Sequence, residues 1–221
     1  MRWVDEGQDS MKRGPIVVVV LTIWLILLIT ISCASTKSLE PKNTAEFQQY
    51  VRSTLIEAMY SLDTSTLLAK YPADLLPPEA LELTQLGSIP LFDEELKSFT
   101  AEVNSAFVQT AFDCAQSLEE VVRSMHWSES LDAPNSGLFH LQPEIPSVVL
   151  PILHKNLEQP LQRWAELIEW YRLYQESTKL LGIATHPIID SPIEANLADL
   201  FIKRYSAALG SEEERLRVEG H

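Results

Sequence analysis

The chain has 221 residues, and its 31 acidic side chains face only 17 basic ones, for a formal charge of −14. The first 33 residues hold three of each sign, so the whole surplus belongs to the remainder, which has no basic patch with which to neutralise phosphates; nucleic acid is excluded as a partner, as is electrostatic docking on anionic headgroups. Two cysteines and a length near that of one ordinary domain imply a single core held by packing rather than by disulfides.

The N-terminus reads as an address. Lys12 and Arg13 precede an apolar run from Ile16 to Ile31, which is interrupted by Thr22 and Thr30 and followed by Ser32 and Cys33. A basic flank, an apolar core and small residues at its exit are the parts of a bacterial export signal. As a helix the sixteen-residue run spans roughly 24 Å, short of the ~30 Å hydrocarbon layer. Thr30-Ile31-Ser32-Cys33 resembles the lipobox of bacterial lipoproteins, in its looser form. That resemblance implies cleavage before Cys33, lipidation of its sulfur and a membrane-anchored body in the cell envelope, on the periplasmic or outer face. An uncleaved N-terminal membrane anchor is the alternative, and in either case the two basic residues leave the rest of the chain exported. Asp5, Glu6 and Asp9 are out of place in a signal, whereas Met11 opens MKRGPIVVVV, a usual one. The expected organisation is an anchor over 1–33, a polar tether over 34–42 and a helical extracytoplasmic domain over 43–221.

Within that domain the fold class expected is all-α, a single multi-helix domain. Asn43 and Glu46 can cap a first helix whose apolar positions, Phe47, Val51, Leu55, Met59 and Leu62, recur every three or four residues. Asp63 to Pro77 is ambiguous, with a short helical turn around Leu67. Pro78 opens a short helix that ends before Gly87. The longest element begins at Asp93, where three successive acids favour a helix start, and its stripe of Leu96, Phe99, Val103, Phe107, Leu118, Val121 and Val122 runs to about Met125. Cys114 falls inside it as a buried small hydrophobe.

The prolines and glycine between Trp127 and Pro146 predict a loop. A helix from about Ser147 is expected to kink at Pro151, and another to follow Pro160 and stop at Gly182. The last helix begins at Ser191-Pro192-Ile193-Glu194, buries Ile193, Leu197, Leu200, Phe201, Tyr205 and Ala208, and closes at Gly210; the charged stretch Glu212 to Arg217 beyond it is expected to fray. No segment alternates with period two, so no strand is expected.

Arg123-Ser124-Met125-His126-Trp127 with the Asp132 to Asn135 loop, LPILHKNL at Leu150 to Leu157, and ADLFIKRYSAALGSEEERLR at Ala198 to Arg217 resemble an uncharacterised bacterial family of exported helical proteins. The resemblance implies an all-helical, extracytoplasmic domain and supplies no activity or catalytic residues.

Sites are sparse. The histidines His126, His140, His154, His186 and His221 form no HExxH or paired spacing, so no metal is expected, nor any other cofactor. No nucleophile elbow or phosphate loop occurs. His126 and Trp127, at a helix-to-loop junction, are the residues best placed to line a cleft. Glu166, Glu169 and Glu176 read as a solvated face. The aromatic cluster Trp164, Trp170, Tyr171 and Tyr174 places apolar groups on two stripes of one helix. One is expected to be core, and the other either covers a neighbouring helix or is an exposed patch for a partner or a hydrophobic ligand, with Trp164, Trp170 and Tyr174 the candidates for a partner surface. The function expected is a lipid-anchored, non-enzymatic binding domain for a protein or envelope component; the alternatives are an envelope hydrolase with its site near residues 126–146 and a carrier of an apolar ligand.

Overall fold

The computed structural model describes residues 44–125, 137–182 and 193–219, all within the compact unit Lys42–His221. The anchor with Cys33, the cap at Asn43, the His126 and Trp127 pair, and the Ser191-Pro192 start lie outside the described residues. The fold is all-α, without strands among the described residues. Its α-helices are α1 (Thr44–Tyr60), α2 (Pro90–Ser124), α3 (Gly137–Leu141), α4 (Ile145–Leu180) and α5 (Ile193–Glu219). Three 3₁₀ segments, Thr64–Leu67, Pro72–Asp74 and Pro78–Ser88, join α1 to α2. No helix among the described residues is long and apolar enough to cross a membrane.

The 35-residue α2 is the central element, as its long apolar stripe predicts. Leu96, Phe99, Val103, Phe107, Leu118 and Val122 are all buried and Val121 is half-buried; α4 lies along α2, α1 packs against it, and Phe201 of α5 meets its Phe107. Its start is at Pro90 rather than Asp93, because proline at the first helical position loses no hydrogen bond there. Cys114 is buried, and its surroundings push the thiol up to about 11.

The ambiguous stretch after α1 is fixed by side chains from two helices. Asn104 on α2 accepts from the Ala69 N–H at 2.8 Å and donates to its carbonyl at 3.0 Å. From α5, Asn196 donates to the Leu75 carbonyl and Arg204 to that of Leu67, at 2.8 and 2.9 Å. These bonds supply the partners that irregular backbone lacks, which lets Leu67 and Leu75 sit fully buried under it.

Three expectations are corrected. The segment around Pro151 and Pro160 is one helix of 36 residues, not two. Each proline removes one backbone bond, but Pro151 lies on the water side, where a freed carbonyl can be solvated, and the buried stripe Val149, Leu153, Leu157, Pro160, Trp164 continues across both. The expected loop before Pro146 contains α3, and α4 already starts at Ile145. Gly210 does not end the last helix, which runs on to Glu219. A Cβ there would meet Leu138 Cδ2 at 3.0 Å, so the glycine serves the close approach of α3.

The charged stretch after Gly210 is helical because it packs. Leu209, Glu213 and Leu216 are buried, and Arg215 bridges Glu212 at 2.6 Å and Glu219 at 2.5 Å, holding the Glu212 carboxyl below the ordinary carboxylate range. Glu213, 1% exposed, accepts from the Gly137 N–H at 2.5 Å and the Leu138 N–H at 3.1 Å. A buried carboxylate thus caps α3 from another helix, satisfying amides that a helix start leaves without partners. Gly137 suits this contact, since a Cβ would lie 3.0 Å from Val51 Cγ1 and 3.2 Å from Leu55 Cδ2 and those side chains would have to give way.

Candidate functional site

The two stripes predicted on α4 have different environments. Trp164, Leu167 and Tyr171 are buried, with the Trp164 ring 5.4 Å from that of Phe99 on α2 and Trp164 itself only 8% exposed. Trp164 is therefore core and offers no surface to a partner. Trp170 and Leu173 face outward, and Trp170 is 54% exposed.

Between this outer stripe and the start of α2 lies an open groove of about 340 Å³. Ile89 and Phe92 form one wall, Trp170, Leu173 and Tyr174 the other, and Leu167 sits between them. The lining is mainly apolar. Tyr174 is half-buried and stacks on Tyr171 at 6.4 Å, so its orientation is set from within. Glu95 and Ser177 are the polar groups at the rim.

Arg163 fixes the geometry. Its guanidinium donates to Glu95 at 2.8 Å and to Glu102 at 2.6 Å, tying α4 to α2 below the groove. The two carboxylates raise its pKa still further, so the clamp stays charged at any physiological pH. Sequence reasoning identified Trp170 and Tyr174 but missed Ile89, Phe92 and the Arg163 clamp. The signal for the clamp is weak, since charges at 95, 102 and 163 become neighbours only once α2 and α4 pair.

Other hollows have different chemistry. One of about 490 Å³ between α1 and the end of α2 mixes polar groups, Gln48, Gln49, Arg52 and Arg123, with the apolar Ala45 and Ile56. Another of about 410 Å³, lined by Phe139, His140, Gln142 and Pro143, is shallow and belongs to the described part of the stretch where the hydrolase site was expected. His154 pairs with Glu194 on the surface between α4 and α5. Among the described residues no three His, Cys, Asp or Glu side chains are arranged to hold a metal ion.

The chain matches no family model, no curated protein and no solved structure. The site therefore has to be read from its own geometry.

Proposed function

We propose that this chain is a lipid-anchored protein of the cell envelope whose helical domain binds a partner through the groove between α2 and α4, without catalysing a reaction. The observation that carries the binding reading is Trp170, a large ring left half in water at the wall of an apolar groove in which Ile89, Phe92, Leu167 and Tyr174 are held by the core. Aromatic rings so placed are the usual anchors of binding surfaces. The anchoring reading is supported by the run Ile16 to Ile31 with its Ser32-Cys33 exit.

Two readouts on the full chain in bacterial cells test the two halves. A clickable fatty-acid analogue should label the wild type and leave Cys33→Ala unlabelled; an unlabelled wild-type chain of full mass in the membrane fraction would replace lipidation with a simple anchor. A photoreactive amino acid at position 170 should give one discrete adduct, identified by mass, while one at the exposed Phe112 on α2 should not. Equal, diffuse crosslinking at both positions would remove the groove as a binding site.

A further inference from the structure

The apolar surface at Trp170 does not end with the groove. Trp170, Leu173, Ser177 and Leu180 recur along the outer side of α4, and Leu180 and Leu181 are almost wholly exposed. Ten residues of helix give this stripe a length of roughly 15 Å, close to three helical turns. A surface of that shape, long, open and apolar, suits a second helix lying along it better than a compact ligand enclosed on all sides.

The charges beside it are predominantly negative. Glu95 and Glu102 share the one guanidinium of Arg163, which leaves a carboxylate's worth of negative charge uncompensated at the rim. Along α4, Glu169 is matched by Arg172, but Glu166 and Glu176 are exposed and no basic side chain pairs with either among the described residues. Lys179 is the remaining cation on this stretch. The groove thus joins an apolar floor to an acidic border, on a chain whose net charge is −14.

We propose that the partner of this groove is an amphipathic helix with basic residues flanking its apolar face. The inference rests on the binding reading above and specifies its partner. The apolar face would cover Trp170 and Leu173 and fill the space against Phe92. Its Lys or Arg side chains would meet Glu166, Glu176 and the rim at Glu95. Acidic partners would be turned away by the same carboxylates, which is how charge sets partner choice at an otherwise undemanding apolar surface.

The test uses the full chain in phosphatidylcholine nanodiscs, with empty discs subtracted, and two synthetic helical peptides of four turns that share one leucine face and differ only in having lysine or glutamate at the flanking positions. Fluorescence anisotropy should show the lysine peptide binding at least about ten-fold more tightly than the glutamate peptide, with the difference shrinking as salt screens it. Trp170→Ala should weaken the lysine peptide by about ten-fold or more. The pair Glu166→Lys and Glu176→Lys should abolish or reverse the preference. Circular dichroism of each variant checks that the helices are intact.

If the glutamate peptide binds as well as the lysine peptide and both respond to Trp170→Ala, the basic partner is overturned while the groove stands. If neither peptide binds but position 170 still yields a discrete adduct of low mass in cells, a small apolar molecule occupies the groove and the helix is overturned. If Trp170→Ala changes neither peptide binding nor crosslinking, the groove reading itself falls with the inference.

Discussion

Two aromatic clusters of the helical bundle use the same kind of side chain differently. In the interior, beside the midpoint of α2, Phe107 meets Phe201 edge to face at 5.1 Å, and Phe201 stacks on Tyr205 at 5.5 Å, with all three rings fully buried. Burial raises the Tyr205 hydroxyl's pKa, and the Cys114 thiol beside it rises as well. At the groove, Tyr171 is buried and Tyr174 half-buried, while Trp170 has one side in water. An aromatic cluster is thus no guide to function by itself. What separates core from site is whether a neighbouring helix covers the second face: α5 does so for α2 at Phe107, and among the described residues nothing covers α4 at Trp170.

The sharpest way to break this comparison is at Phe201. Truncating a fully buried aromatic typically costs about 3 to 5 kcal/mol, a large part of what a domain has. Phe201→Ala should therefore lower the melting temperature of the full chain by about 10 °C or more. A melt within a degree or two of wild type would mean that the two clusters do not differ in packing. A smaller loss is expected at the cap of α3. Glu213→Ala leaves the buried amides of Gly137 and Leu138 without an acceptor, at a cost of about 1 to 3 kcal/mol. Glu213→Gln, which keeps one acceptor oxygen, should lose distinctly less, and equal losses in the two variants would show that the side chain's packing matters rather than its bonds.

What could be read from the sequence follows the same division. Periodicity identified six of the seven stripe residues of α2 as buried, with Val121 half-buried, because an apolar face repeating over many turns can be satisfied only by burial. The same periodicity found two apolar stripes on α4 but could not say which would be covered, since that depends on where α2 begins and how the helices pair. Ile89 and Phe92 joined Trp170 through contacts separated by about eighty positions in the chain, and nothing local records them. The errors at Pro151, Pro160 and Gly210 have one cause. Each residue weakens a helix locally, and in each case burial of the residues around it outweighs the local cost. Gly137 and Gly210 are spacers that let α3 approach α1 and α5, and a lone glycine in a sequence looks the same whether it ends a helix or makes room for one.

The smallest effect on stability is expected at Trp170, and it is the one that most directly sharpens the contrast. Trp170 is 54% exposed, so truncation removes contacts on one side of the ring only. Area bookkeeping for a half-covered ring gives a loss of about 1 to 2 kcal/mol as an upper bound. Alanine also forms helix more readily than tryptophan, by a few tenths of a kcal/mol. Together these leave Trp170→Ala near about 1 kcal/mol, well under the cost at Phe201. Thermal melts of the two variants, made side by side in the full chain, should therefore separate by several degrees. Were Trp170→Ala to cost as much as Phe201→Ala, the ring would be covered in solution by some other part of the chain. The groove would then be closed and its aromatic cluster would be core like the other. A small thermal effect combined with a large loss of peptide binding is the result that a surface ring kept for a partner requires.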